Sequence, residues 1–237
     1  MISIVTVAFI ETQEHYTLAK KSYETFTASV PIQRIVIVNK VRGAKDLEML
    51  DQYNDLVITN DTNNLGKAWN LGVENAKYDY VFIPNLDVEL KSDALDALLK
   101  FAQENPRSGL WSMTAINNYL SFVKATPKDI TNSITNHSQS FSSFLIHKDT
   151  IKEVGKFNED FTGAYYEDCA YLYRCKQKGL TPLRTSLALF FHHLQASLKY
   201  GLEYRQVYNT QLEQNRLKYI QLFGGEPGEK KKKRKRT

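Results

Sequence analysis

The sequence predicts an α/β fold, a mainly parallel sheet flanked by helices with a C-terminal helical annex, and three observations carry that prediction. The strand-like segments Ile2–Ile10 and Ile35–Val38 are continuously apolar rather than alternating, the mark of strands buried on both faces. Strand and helix patterns alternate at regular intervals through the first half of the chain, as in crossover units. A long helical stretch, Leu198 to Phe223, closes the body and stops at Gly224-Gly225.

The elements follow in order. A β-branched first strand begins at Ile2, and Glu11 to Ser29 reads as a loop and helix ending before Pro31. Ile35–Val38 is a strand closed by Asn39, Asp46 to Tyr53 a short helix, and Leu56–Thr59 a third strand. Leu65, Ala68, Trp69, Gly72, Val73 and Ala76 recur at helical spacing on one face. Tyr80 to Pro84 is a short apolar strand that delivers Asn85-Leu86-Asp87 to its carboxyl edge. A helix with Ser92 as its N-cap runs from Ser92 to Gln103, and Gly109 to Ala115 is a further strand. Residues 116–140, rich in Asn, Ser and Thr, read as one long loop, a length uncommon without a function. Phe141 to Ile146 returns to the sheet. Asp149 to Val154 and Tyr165 to Lys178 are helices, and Leu187 to Phe191 is a last apolar run leading into His192-His193.

Composition narrows the class. Of 237 residues 42% are hydrophobic and 24% charged, which fits a globular chain with a full core. No apolar run is long enough to cross a bilayer, and the N-terminus lacks the features of a signal peptide, so a soluble, cytoplasmic protein is expected. The two cysteines, Cys169 and Cys175, lie six apart in one predicted helix, a poor geometry for a mutual disulfide. The net charge of +5 sits wholly in the last residues, where Lys230 to Arg236 are consecutive basic residues, and residues 1–225 are neutral. Such a run is expected to be disordered and to bind phosphates of nucleic acid or of an anionic membrane surface; a solubilising end or an engineered appendage is the equal alternative.

Several residue sets carry candidate chemistry. Asn85 and Asp87 are two apart on extended chain, so a carboxylate and an amide oxygen can share one hard cation; a Pro-Asn-Leu-Asp turn is the plainer reading. Asn64 and Gly66 open a helix whose free N–H groups suit a phosphate or ribose, with Asn70 a turn further on; a capped helix is the alternative. Glu167 and Asp168 begin a helix whose dipole favours their charged forms, and a carboxylate there can act as a general base or merely complement the dipole. Tyr165, Tyr166, Tyr171 and Tyr173 crowd the same helix, more in the manner of packing than of sugar contacts.

Taken in order, these features resemble nucleotide-sugar glycosyltransferases of the GT-A fold, similar to glycosyltransferase family 2 and its rhamnosyltransferase-like members. The resemblance covers roughly residues 2 to 197 and rests on five matches. They are Ile4-Val5-Thr6-Val7; Asn64-Leu65-Gly66-Lys67-Ala68-Trp69-Asn70-Leu71-Gly72; Asn85-Leu86-Asp87-Val88; Phe144-Leu145-Ile146 with Val154 to Phe161; and Glu167-Asp168 with Arg174, followed by His192 and Ser197. It implies a GT-A domain over 1–197, a C-terminal helix over 198–225 and a polybasic tail over 226–237.

The resemblance also implies roles. Thr6, Ala8, Asn39, Asn64, Gly66, Lys67, Asn70, Asn85 and Leu86 would bind the donor, a nucleoside diphosphate sugar. Asp87 and His192, with His193 as fallback, would hold Mn²⁺ or Mg²⁺. Asp168 would be the base and Glu167 would position the acceptor. The chain departs from the family pattern at Asn39, Asn85 and Ala170, where the family usually has Asp. It implies metal-dependent, inverting sugar transfer to an acceptor hydroxyl, with the 116–140 loop and the C-terminal helix shaping the acceptor side. The acceptor could be nucleic acid or a membrane-associated glycan met through the basic tail. Two rivals are a nucleotidyltransferase, which would need a basic, Gly-rich loop after Ile10 that is missing, and a non-catalytic nucleotide- or nucleic-acid-binding module.

Overall fold

Residues 2–84 lay down the parallel half of a single sheet. In the computed structural model, which describes residues 1–60, 62–134, 139–193 and 201–228, with side chains omitted at 139, 140 and 202–204, β1 (Ile2–Phe9) lies between β2 (Ile32–Lys40) and β4 (Tyr80–Pro84). β3 (Leu56–Thr59) adds to the outer side of β2, and every one of these pairings is parallel. The crossovers are α1 (Gln13–Thr25), α2 (Ala44–Tyr53) and α3 (Leu65–Asn75). Continuous apolarity in β1 has the expected cause, since side chains of even-numbered residues pack under α1 and α2 while Val5 packs under α3. Gly72 brings α3 down onto β1: a Cβ there would lie 2.0 Å from Val5 Cγ1.

Beyond β4 the sheet turns mixed. β8 (Ser143–His147) runs antiparallel to both β4 and β6 (Leu110–Ile116), β9 (Leu183–His192) is parallel to β6, and β5 (Val88–Leu90) pairs antiparallel with β9. The full order is β3-β2-β1-β4-β8-β6-β9-β5, with β7 (Thr131–Ser133) also antiparallel to β9. Helices cover both faces. α4 (Ala94–Glu104) joins the α1 and α2 side, and α6 (Lys148–Val154) and α7 (Glu167–Gln177) join the α3 side. Around Trp69 on α3 stand Phe157 at 4.9 Å and Phe144 at 5.4 Å between ring centroids, both edge-on, a geometry that adds about 0.5–1.5 kcal/mol per pair beyond area burial.

Three expectations are corrected. Residues 116–140 are not one loop: α5 (Tyr119–Lys124) and β7 lie within them. α5 has only six residues and owes its order to packing, with Phe122 against Phe191 at 5.8 Å and the Lys91 Nζ donating to the Val123 carbonyl. β7 is exposed and polar, tied to β9 by main-chain bonds, so it leaves no hydrophobic alternation to read. The cap of α4 is Asp93, in left-handed conformation at φ 60° with no side-chain cap bond, rather than Ser92, because the chain reverses directly out of β5. Tyr165 and Tyr166 precede α7 instead of opening it, both at positive φ.

The C-terminal helix, α8 (Leu202–Phe223), packs Tyr219 and Phe223 against Phe161, Tyr166, Cys169 and Ala170. Cys169 and Cys175 are both buried, and no disulfide joins them. Among the described residues no helix is long and apolar enough to cross a membrane. Ser197, the 197/198 boundary and the basic run Lys230 to Arg236 lie outside the described residues.

Candidate active site

The carboxyl edge of the sheet is built by a chain reversal. Where β4 ends, the Asn85 N–H donates to the Ser142 carbonyl at 2.9 Å, and the chain returns as β5 to pair with β9, Val88 opposite His192. That pairing joins two residues more than a hundred positions apart: Asp87 Oδ1 lies 3.4 Å from His192 Nε2. Both side chains are mostly enclosed, and Asp87 Oδ1 and His192 Nδ1 are buried with no hydrogen-bond partner. His193 is engaged elsewhere. Its ring nitrogen Nε2 lies 2.7 Å from Glu89 Oε1, and its backbone N–H donates to the Asp87 carbonyl at 2.9 Å, which fixes the strand that carries Asp87.

This pair suits a hard divalent ion. A carboxylate oxygen and an imidazole nitrogen about 3 Å apart can occupy adjacent positions on one ion, and Mg²⁺-type sites commonly use one or two protein ligands with phosphate oxygens and water completing the shell. Among the described residues no group of three or more His, Cys, Asp or Glu gathers to hold a metal.

Glu167 and Asp168 open α7 as predicted, yet neither is exposed: each is 4% accessible. Asp168 Oδ1 accepts the Cys169 N–H at 2.7 Å, whereas Glu167 Oε2 is buried with no partner. Burial, reinforced by the neighbouring Asp168 charge, pushes the Glu167 carboxyl well above its usual range. The dipole was expected to keep both acids charged; at Glu167 desolvation opposes it and raises the carboxyl's pKa. The preceding Tyr166, at φ 75°, and Tyr165, at φ 80°, occupy the left-handed region at roughly 1–3 kcal/mol each, so the surrounding packing must hold them there.

The residues assigned to the donor divide sharply. Asn64 caps α3, its Oδ1 accepting the Lys67 N–H at 2.8 Å and its Nδ2 donating to the Glu159 carbonyl. Asn70, buried, donates to the Phe157 carbonyl and to Glu159 Oε1 and accepts the Phe157 N–H. Gly66 is needed for close approach of the chain itself, since a Cβ would sit 2.6 Å from the Asn158 carbonyl oxygen. These residues therefore clamp the 157–159 segment onto α3. Thr6 and Ala8 have fully buried side chains on the face of β1 under α1, with Thr6 Oγ1 bonded to the Tyr23 hydroxyl at 2.8 Å. Asn39 accepts from Asn60 Nδ2 at 2.7 Å, which links the ends of β2 and β3. Lys67 and Leu86 are half-buried, Lys67 in the first turn of α3 and Leu86 against the core beside Asp87.

With this geometry in place, comparison with known proteins decides the family. The profile of glycosyl transferase family 2 matches residues 4–164. The chain belongs to glycosyl transferase family 2. No curated protein sequence matches it. Solved structures share its fold: GalNAc-T7 with UDP, GalNAc and Mn²⁺ at 14% identity and a TM-score of 0.64, over 81% of this chain and 43% of that one. TarS 1-349 from S. aureus is similar at 15% identity and 0.58, over 81% and 60%. The same protein with UDP-GlcNAc gives 14% identity and 0.60, over 89% and 65%. The chain thus spans less than two thirds of each of these structures.

The family match includes Asp87 and stops before Glu167, Asp168 and His192. Tyr171 and Tyr173 on α7, and Tyr165 and Tyr166 just before it, make packing contacts. Tyr171 stacks on Phe157 at 4.2 Å, Tyr173 meets Phe223, Tyr165 meets Tyr208 and Tyr166 meets Tyr219. Arg174 likewise serves packing, donating to the Lys156 carbonyl and lying over the Tyr171 ring. Sequence reasoning missed Asn60, whose signal was an asparagine closing β3 as Asn39 closes β2. It also missed Glu89 on β5, whose Oε1 lies 2.7 Å from His193 Nε2.

Proposed function

We propose that this family 2 member transfers a sugar from a nucleoside diphosphate sugar to an acceptor hydroxyl, with inversion, at the β5–β9 edge of the sheet. The observation that carries the reading is Asp87 Oδ1, buried without a hydrogen bond beside His192 Nε2 at the rim where α/β sheets hold ligands. Asp87 and His192 would hold Mn²⁺ or Mg²⁺, which when bound supplies positive charge against the diphosphate leaving group. Glu167, whose carboxyl pKa burial raises, would hydrogen-bond and orient the acceptor, and Asp168 beside it would be the base. Asp168 takes the acceptor O–H proton as that oxygen bonds to the anomeric carbon and the carbon–oxygen bond to the diphosphate breaks. Asn39 and Asn60 lie at the ends of β2 and β3, the place for the base and ribose. α5 and α8 flank the acceptor side.

UDP-sugars are the first donors to test, because the GalNAc-T7 and TarS structures hold UDP or UDP-GlcNAc. A thermal-shift screen of nucleotides with and without Mn²⁺ should give selective stabilisation by one base. Incubation of the matching sugar donor with Mn²⁺ and candidate acceptors should release nucleoside diphosphate, and the release should vanish in Asp87→Ala. Release that persists at the wild-type rate in that variant overturns the reading.

A further inference from the structure

α8 lies beyond the residues matched by the family, and its sequence carries no motif, yet it meets the segment before the acid pair from Tyr208 to Tyr219. Tyr208 packs edge-on to Tyr165 at 5.3 Å, Gln211 Oε1 lies 2.6 Å from where a Cβ on Gly163 would stand, Lys218 Nζ donates to the Asp160 carbonyl, and Tyr219 packs on Tyr166. Asn215 is at the centre of this line and is 2% exposed. Its Oδ1 accepts the Thr162 N–H at 3.1 Å, and its Nδ2 reaches the carbonyls of Thr162 at 2.9 Å and of Ala164 and Tyr165 at 3.1 Å. An amide has two N–H bonds, so three carbonyls converge on one donor group, and the chain that supplies them leaves through left-handed Tyr165 and Tyr166 straight into Glu167.

We propose that Asn215 is a positioning residue for the Glu167–Asp168 pair: by gathering the Thr162, Ala164 and Tyr165 carbonyls it fixes the left-handed turn from which both acids project. The C-terminal helix is then part of the reaction apparatus rather than an annex. The inference rests on the reading of Glu167 and Asp168 as the acid pair. Asn215 itself touches neither donor nor acceptor in this scheme and acts only through the backbone it holds. α3 grips the earlier part of the same segment through Asn64 and Asn70, and Asn215 holds the Ala164 and Tyr165 carbonyls that follow it.

Asn215→Asp is the informative variant, since it keeps the shape and the acceptor for the Thr162 N–H while turning an oxygen toward three carbonyls. In the folded variant kcat should fall about 10- to 100-fold, as a small displacement of reacting groups produces, with donor KM within about twofold of wild type and the pH profile of kcat displaced. Hydrogen exchange should quicken at least about tenfold at the Thr162 and Cys169 amides and stay unchanged in β1 and β4. Wild-type kcat, pH profile and exchange in a folded Asn215→Asp protein overturn the proposal. Should the variant not fold, native-state exchange of the wild type decides: the amides of 162, 169 and 215–219 should share one opening, and a much faster opening of α8 alone overturns it. If the wild type cleaves no donor, the transferase reading falls while the exchange measurement still decides whether Asn215 holds the acid pair.

Discussion

At the start of α3, Asn64 and Asn70 have their amide oxygens and nitrogens engaged by the protein's own groups, whereas at the β5–β9 edge Asp87 Oδ1 and His192 Nδ1 are buried with none. Both regions carried polar side chains at the end of an element, a helix start at Asn64 and the end of an apolar strand at Asp87 and at His192. The difference teaches which is scaffold. A buried polar atom without a partner costs about 1–3 kcal/mol, a penalty a ligand can lift when the atom lies at a rim that ligands reach. Position matters as much as the missing bond: Tyr171 Oη also lacks a hydrogen bond, but it stands in the core, its ring stacked on Phe157. Glu167 belongs with Asp87, its Oε2 unpartnered beside the base candidate.

The largest effect expected from this contrast is at the acid pair. Asp168→Asn should lower kcat about 10³-fold, within the range for loss of a general base, while nucleotide affinity measured by calorimetry stays near wild type. Asp87→Ala should lower kcat/KM about 10²- to 10³-fold and leave the protein as stable as before or more so, because the atom removed has no hydrogen bond to lose. Chelation should reproduce that loss in the wild type, and added Mn²⁺ should restore the wild type but not the variant; a variant rescued by Mn²⁺ would place the ion elsewhere.

Asn70→Ala should behave in the opposite way. It removes bonds to the Phe157 carbonyl, the Phe157 N–H and Glu159, so urea unfolding should show a loss of about 2–4 kcal/mol, with donor KM of the folded enzyme unchanged. Wild-type stability with weakened donor binding would erase the distinction between the two regions. The smallest effect is a pH dependence. Glu167 titrates well above its ordinary range, so the folded state keeps a proton that the unfolded chain releases. Its favourable contribution is present below the unfolded value and is lost as pH rises through the folded one. Glu167→Gln should therefore flatten this part of the stability profile and raise the melting temperature on its alkaline side, as read by scanning calorimetry from acid to neutral pH.

Patterning along the chain determined a great deal. The burial period of β1, β2 and α3 follows from which neighbours along the chain are apolar, so those elements, the parallel crossovers and the delivery of Asp87 to a sheet edge were all legible. Tertiary structure decided what each polar side chain does there. The short β5, its pairing with β9 and hence the approach of Asp87 to His192 depend on main-chain bonds between distant segments, which leave no periodic trace. The bonds of Asn70 reach 87 residues along the chain, and those of Asn215 reach back about fifty, so neither could be read locally. The full burial of the Thr6 and Ala8 side chains was likewise not legible, because strand position gives an alternation of faces and not what covers each face. Glu167 was expected to be charged because a helix start is visible in sequence, whereas the desolvation that opposes the dipole exists only once α7 is packed.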